Sequence, residues 1–291
     1  MVKPILYVLK YLLLDHMTDS NISDSIHGSR SNTERAITND EYECLNSPEQ
    51  QERQQVPVFK QNLYDKNAQK YWDQFYKRNT SNFFKDRHWT LREFDINLNK
   101  SVKLFEVGCG VGNFLFPLLN ELPNLSIYAC DFSSTAIDLL RQNASYDQAR
   151  IQSFVCDLTA ETDIPIEENS IDFCSMIFVL SAIHPDKMLH VLQKIHKVLK
   201  PGGYLLFRDY GLYDHAMFRF ARQRQHKLSE NFYVRQDGTR AYFFSIEYLN
   251  NLLKECQFKI DELSYVFKET VNFKEDVCVP RVFLQGKFQK Q

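Results

Sequence analysis

The chain has 291 residues, 44% of them hydrophobic, which is room for one large domain with appendages and material for a substantial core. Thirty-five Lys and Arg stand against 37 Asp and Glu, a formal charge of −2, so no global basic field draws nucleic acid to the whole surface. Seven cysteines without a Cys-x-x-Cys spacing, and histidines without a ligand pattern, argue against a disulfide scaffold and a zinc site.

Residues 5–14 are apolar apart from Lys10. The run is too short to span a bilayer, no small-residue cleavage site follows, and Asp15, Asp19 and Asp24 come where a transit peptide avoids acids. Residues 18–56 are polar and aperiodic, and residues 1–60 carry six Lys or Arg against nine Asp or Glu, so residues 1–58 are expected to be a disordered acidic arm. An aromatic and basic extension is expected over 59–100. Leu63, Tyr71, Trp72, Phe75 and Tyr76 recur at helical spacing and form an aromatic face. Then Lys77, Arg78, Lys85, Arg87 and His88 interleave with Phe83, Phe84 and Trp89, cations for phosphate and planes for unpaired bases. A buried aromatic turn with solvated charges would have the same composition.

Val102, Leu104, Phe105 and Val107 form an apolar, strand-prone run that ends in Gly108, Gly110 and Gly112, and a helix-compatible segment, 114–119, follows. A strand, a tight turn and a helix start hold nucleotide-like ligands by close backbone approach. A dinucleotide fingerprint needs glycine at the first, third and sixth turn positions, and the sixth here is Asn113. Glycines at one, three and five, with Glu106 two residues ahead, resemble the first motif of Rossmann-like S-adenosylmethionine-dependent methyltransferases. In that class the acidic residue helps place the amino-acid end of the cofactor.

A second run, 125–130, ends at Asp131, positioned to accept hydrogen bonds from ribose hydroxyls. A third, 151–156, ends at Asp157-Leu158, a carboxylate and an apolar side chain suited to an adenine amino group and ring face. A fourth, 171–180, is almost wholly apolar, as a strand covered on both faces is. Residues 185–199 read as a helix stopped by Pro201-Gly202-Gly203, residues 204–207 as a fifth strand ending in Arg208-Asp209-Tyr210, and 245–256 as another helix. Residues 259–267 and 281–288 read as an antiparallel closing pair. The expected fold is α/β, a Rossmann-like class I methyltransferase over 101–291, with a seven-stranded, mostly parallel sheet and an antiparallel closing hairpin. An insertion at about 211–244 interrupts it. Residues 208–240 hold seven Arg or Lys against four acids, with Tyr210, Tyr213, Phe218, Phe220, Phe232 and Tyr233 interleaved. The insertion lies beyond the carboxyl ends of the strands, which favours substrate contact; a surface with solvated charges is the alternative.

Longer phrases carry a narrower resemblance. Residues 75–90, Ala129-Cys130-Asp131-Phe132-Ser133, residues 177–188, Phe207-Arg208-Asp209-Tyr210-Gly211, residues 230–240 and Cys278-Val279-Pro280-Arg281-Val282-Phe283 together resemble the tRNA 3-methylcytidine methyltransferases of the methyltransferase-like family. The likeness covers about residues 60–290, and residues 76–90 resemble most the branch acting on serine tRNAs. It implies methyl transfer from S-adenosylmethionine to cytosine N3 at the first nucleotide of the anticodon loop, with tRNA and seryl-tRNA synthetase as partners and neither membrane nor metal involved. The same reaction on threonine or arginine tRNAs, or a small-molecule methyltransferase of this fold, are the alternatives. The implied compartment is the cytoplasm, with the nucleus as a second site.

The resemblance places Trp72 and Tyr76 over the cofactor as a lid, and Ile177 joins Glu106, Gly108, Gly110, Gly112, Asp131, Asp157 and Leu158 among the expected cofactor contacts. Lys85, Arg87, His88, Arg222, Arg224 and Arg240 are the expected tRNA contacts. Cytosine N3 carries a lone pair and no proton, so the reaction needs alignment and charge stabilisation more than a base. Asp209, just past the fifth strand, is the candidate to accept the exocyclic amine and offset the ring charge, with Arg208 positioning phosphate or ring; a surface pair of the two is the rival reading.

Overall fold

The computed structural model describes residues 48–80, 87, 94, 101–272 and 277–291. Five parallel strands, β1 (Val102–Val107), β2 (Leu125–Asp131), β3 (Ile151–Val155), β4 (Ile171–Ile177) and β5 (Leu199–Tyr210), form most of a seven-stranded sheet. The hairpin of β9 (Phe258–Asn272) and β10 (Val277–Lys290) closes it in the order β3-β2-β1-β4-β5-β10-β9, with β10 antiparallel to β5 and to β9. The expected seven-stranded architecture is thus present, with hairpin strands longer than the apolar pattern marked.

Alternation along the strands supplies two cores. Phe105, Val107, Cys174, Met176, Leu205 and Phe207 pack with α6 (Pro185–Val198) and α8 (Ile246–Glu255). Leu104, Ile127, Ala129, Ile177 and Leu206 pack with α4 (Leu115–Glu121) and α5 (Ser134–Arg141). Phe105 and Phe207 are wholly buried, and each side chain contributes roughly 2–3 kcal/mol by leaving water. Helix α6 starts as its sequence dictates: Pro185 stands in its first turn and the His184 side chain accepts from the Asp186 amide at 3.3 Å. The fourth apolar run does not stay extended to residue 180. Strand β4 stops at Ile177 because Phe178 turns into the left-handed region at φ +60°, and residues 180–182 form a short helical turn.

Among the described residues, three helices precede the sheet: α1 (Pro48–Gln54), α2 (Val58–Lys66) and α3 (Ala68–Asn79). Of the arm over 1–58 expected to be disordered, residues 48–58 are described, and there Arg53, Gln55 and Val56 are held by distant partners. The Val56 amide donates to the Lys227 carbonyl at 2.8 Å, Gln55 Nε2 to the Leu228 carbonyl at 2.9 Å, and Val56 is 1% exposed. Residues 1–47 lie outside the described residues.

The insertion is a small module of its own. Helix α7 (His215–Ala221) packs on a three-stranded sheet of β6 (Lys227–Ser229), β7 (Phe232–Val234) and β8 (Arg240–Tyr242). Phe220, Ala221, Tyr233, Ala241 and Phe243 form its core, and Phe232 is buried in the main core. Three of the interleaved aromatics, Phe220, Phe232 and Tyr233, are thus packing residues and not stacking platforms. Composition could not separate these roles, because a buried ring and a base platform require the same side chain.

Candidate active site

Strand β1 delivers Glu106 to the lip of the sheet, and the chain then turns through Gly108 at φ +62° and Gly110 at φ +54°. A Cβ on Gly108 would lie 2.5 Å from Val179 Cγ2, and one on Gly110 would lie 2.7 Å from the Tyr76 hydroxyl oxygen. Both glycines are therefore required by backbone sign and by space. Gly112 differs. A Cβ there would strike Phe116 and Leu140, so the third glycine seats α4 and α5 and does not open a ligand cradle.

Of the three acids expected at the site, two, Glu106 and Asp131, stand around this loop. Asp131 ends β2 as expected, with Oδ2 accepting from the Gly110 amide at 3.0 Å and Oδ1 from the Ser133 amide at 2.9 Å. A carboxylate has about four lone-pair sites, so each oxygen keeps capacity for a hydroxyl. Burial pushes the Asp131 carboxyl up to about 6, against the Ser133, Gly110 and Phe132 amides that pull it down, and the Asp73 charge adds to the rise. Glu106 is 4% exposed, and among the described residues its Oε2 has no hydrogen-bond partner. Burial lifts this carboxyl to about 8; the Arg87 guanidinium opposes the rise and the Asp131 charge adds to it. A buried acid with an orphaned oxygen is a site for an ammonium donor. The third, Asp157, is exposed, with Oδ1 accepting from the Thr159 amide at 2.9 Å and hydroxyl at 2.8 Å, while Leu158 next to it is buried in the main core.

Helix α3 lays its aromatic face on the loop. Trp72, Phe75 and Tyr76 cluster with Val111 and Ala136, and the Trp72 and Tyr76 ring centroids are 6.0 Å apart. Tyr76 is 5% exposed, and burial first, then the Asp131 charge, keeps its phenol well above the ordinary range. The glycine turn, Glu106, Asp131 and the aromatic helix thus converge, while Asp157 keeps only local partners. Ile177 is buried at the end of β4, and its carbonyl accepts from Arg87 Nη1 at 3.4 Å.

Arg87 is not the surface phosphate contact its basic neighbours imply. Its guanidinium turns inward over the Phe178 ring, 5.5 Å from the centroid, and its backbone amide donates to the Asn113 carbonyl at 2.9 Å. Burial lowers its pKa, while Glu106, Tyr76, Tyr210 and Asp209 act in the opposite sense, in that order. Lys85 and His88 lie outside the described residues.

Beside the loop, at the carboxyl ends of β4 and β5, is a feature that sequence spacing does not reveal. The Phe178, Tyr210 and Phe283 rings enclose one another, with centroids 5.1 Å (178–210), 5.3 Å (178–283) and 6.3 Å (210–283) apart. Four guanidinium groups stand over them. Arg87 covers Phe178, Arg208 covers Phe283 at 5.3 Å, Arg235 covers Tyr210 at 5.6 Å, and Arg281 covers Phe283 at 5.1 Å. Arg235 Nη2 also donates to the Tyr210 hydroxyl at 3.3 Å, and Arg281 Nε to Asp214 Oδ2 at 2.8 Å. Arg235, Arg281, Phe178 and Phe283 were not singled out individually from the sequence; the left-handed φ of Phe178, a strain of roughly 1–3 kcal/mol, marks the place only once the backbone is known.

Asp209 lies behind this box and is fully buried. Its Oδ2 accepts from the Ser181 amide and its Oδ1 from the Tyr210 amide, both at 2.9 Å, which fixes the 180–182 turn against β5. Burial raises its carboxyl to about 6, held back by Ser181 and Tyr210. Arg208 is 3% exposed and, as the adjacent strand residue, leaves β5 on the opposite side, so the pair is neither superficial nor an ion pair across one face. Arg240 is also displaced from its expected role. It is 7% exposed, paired with Asp65 of α2, and donates to the Ala182 carbonyl at 3.2 Å, so it fastens β8 to α2 and to the turn. Arg222 and Arg224 are exposed on the insertion, where a phosphate can reach them.

The residues fit S-adenosylmethionine on two independent counts: an orphaned buried carboxyl group for an ammonium, and a buried acid with capacity for ribose hydroxyls. Among the described residues no group of three or more His, Cys, Asp or Glu is arranged to hold a metal, and no helix is long and apolar enough to cross a membrane.

Comparison with known proteins agrees. A family model described as a methyltransferase domain matches residues 105–205. The human tRNA N(3)-cytidine methyltransferase METTL6 is 53% identical over 263 residues, 88% of this chain and 90% of that protein. The zebrafish (Danio rerio) tRNA N(3)-cytidine methyltransferase METTL2 is 40% identical, covering 83% of this chain and 79% of its own length. The Schizosaccharomyces pombe tRNA N(3)-methylcytidine methyltransferase trm141 is 42% identical, covering 78% and 94%. Among solved structures, a SAM-dependent methyltransferase from Anabaena variabilis superposes with a TM-score of 0.57 at 14% identity, over 77% of this chain and 96% of that one, a likeness of fold.

Proposed function

Because the chain belongs to the tRNA N(3)-cytidine methyltransferases, we propose that it methylates the first nucleotide of the anticodon loop of serine tRNAs and works with seryl-tRNA synthetase in the cytoplasm, with the nucleus as a second compartment. The enzyme uses S-adenosylmethionine, which when bound supplies an electrophilic methyl group. In this reading Glu106 receives the amino-acid ammonium, Asp131 the ribose and Asp157 the adenine amine, while Trp72 and Tyr76 on α3 cover the cofactor.

The observation that carries the substrate reading is the box of Phe178, Tyr210 and Phe283 with its four arginines, set against the glycine loop through the contact of Gly108 with Val179. Cytosine N3 is occupied in a base pair, so the nucleotide must enter unpaired, and ring faces with guanidinium planes suit an extruded base and its flanking phosphates. No proton has to leave N3. The protein's task is to hold N3 in line, exclude water and offset the positive charge that appears on the ring. Asp209 serves the last purpose from behind the box wall and also sets the 180–182 turn, while Arg222 and Arg224 extend the phosphate track along the insertion. The resemblance of residues 76–90 to the serine branch supports the choice of tRNA. The test is incubation with labelled S-adenosylmethionine and purified serine, threonine and arginine tRNAs, with and without seryl-tRNA synthetase, followed by nucleoside mapping. Label at the first loop nucleotide of serine tRNA is expected; preferential labelling of threonine or arginine tRNA overturns the assignment.

A further inference from the structure

Helix α3 touches the cofactor side of the sheet at more than its aromatic face. Residues 69, 72, 73 and 76 recur at three- and four-residue spacing and share one side of the helix. Gln69 Nε2 donates to the Phe132 carbonyl at 2.6 Å, and Trp72, Phe75 and Tyr76 pack on Val111 and Ala136. These contacts already dock the helix. Asp73 does something separate. Its Oδ1 accepts the Ser133 hydroxyl at 2.5 Å and the Thr135 amide at 3.3 Å.

Ser133 is wholly buried and is the N-cap of α5, its Oγ accepting from the Ala136 amide at 3.2 Å. With its one hydroxyl proton committed to Asp73 and its oxygen to Ala136, the side chain has one usable rotamer. The two bonds at Oγ tie the Ser133 backbone to α3 and to the first turn of α5, and the amide of that same residue donates to Asp131 Oδ1 at 2.9 Å, while Asp131 Oδ2 takes the Gly110 amide. A continuous chain of hydrogen bonds runs from α3 to the glycine loop: Asp73, Ser133, Asp131, Gly110. Each member fixes the next, because a carboxylate bound by one amide on each oxygen can no longer rotate freely.

We propose that Asp73 is a positioning residue for the cofactor: through Ser133 it sets the orientation of the Asp131 carboxylate, and so determines how well the enzyme recognises the ribose hydroxyls. The proposal rests on the reading of Asp131 as the ribose acceptor. It differs from a docking role for Asp73, which would affect all cofactor analogues alike.

The discriminating measurement is a ratio: affinity for S-adenosylhomocysteine over affinity for its 2′-deoxy and 3′-deoxy analogues, by calorimetry on the full chain. The wild type should favour the intact ribose by roughly tenfold or more, the worth of one or two hydrogen bonds to a buried carboxylate. Asp73→Ala and Ser133→Ala should each bring the ratio most of the way to the value found for Asp131→Asn. Asp73→Asn, which keeps an acceptor oxygen in place, should restore it. The double variant Asp73→Ala/Ser133→Ala should lose no more than either single change, since both break one chain. A collapsed ratio in Asp131→Asn with an unchanged one in Asp73→Ala overturns the proposal and leaves the ribose reading intact. An unchanged ratio in Asp131→Asn overturns both.

Discussion

Glu106→Gln tests the electrostatics of the site. The Glu106 carboxyl moves from its ordinary 4.5 to about 8 in the ligand-free protein, chiefly through burial. At 1.36 kcal/mol for each tenfold change in acidity, that displacement corresponds to about 5 kcal/mol. The folded state holds a proton that the unfolded chain gives up above pH 4.5. Glu106 therefore costs nothing below that pH and becomes progressively destabilising as pH rises to about 8. Replacement by Gln keeps the shape and removes the titration. The variant should melt with the wild type near pH 4.5 and above it at pH 8, by about 10–20 °C at 2–4 °C per kcal/mol for a chain of this size. Asp131 and Asp209 carry raised pKa values too, but both proteins share them, so the difference between the curves isolates Glu106. Binding supplies the complementary readout. If the cofactor ammonium meets Glu106, binding near pH 6.5 should release close to one proton, read as the dependence of calorimetric enthalpy on buffer ionisation enthalpy. The Gln variant should release less and bind at least tenfold more weakly, as expected when a charge-assisted bond to a buried group is lost. Parallel melting curves across pH 5–8, or equal proton release by both proteins, would refute the reasoning.

Other outcomes follow from particular contacts. Gly110→Ala places a methyl 2.7 Å from the Tyr76 hydroxyl at φ +54°, so cofactor affinity should fall by an order of magnitude or more while the far-ultraviolet spectrum is kept; undiminished affinity would exclude the loop. Charge reversal of exposed Arg222 and Arg224 should weaken tRNA binding and reduce its salt dependence by about two in log–log slope, with cofactor affinity unchanged. Arg240→Ala should instead lower stability by about 1–2 kcal/mol, because the buried guanidinium and its bonds to the exposed Asp65 carboxylate and to the Ala182 carbonyl are lost; a tRNA-specific defect with full stability would return Arg240 to the substrate surface. Asp209→Ala should bind both ligands yet form 3-methylcytidine at least tenfold more slowly, a loss that wild-type turnover at saturating tRNA would disprove.

The linear sequence determined what depends on neighbours. A strand followed by glycines at alternate positions forces the left-handed turns of Gly108 and Gly110, and an apolar run ended by an acid puts Asp131 at the edge of β2, because side-chain period and turn chemistry are local. The helical spacing of Trp72 and Tyr76 likewise needed no tertiary knowledge. Tertiary structure alone decided which charges are free and which rings are buried. The box draws on residues 87, 178, 208, 210, 235, 281 and 283, and only the register of β10 on β5 sets Phe283 opposite Tyr210. Arg87 and Arg240 read as tRNA contacts until Phe178 and Asp65, distant in sequence, are placed beside them. The same holds for residues 48–58, whose polar composition reads as disorder, but where the Arg53 and Val56 backbone and the Gln55 side chain find partners at residues 225, 227 and 228. Burial and pairing across long separations are properties of the packed chain, and a carboxylate such as Glu106 acquires its unusual acidity only there.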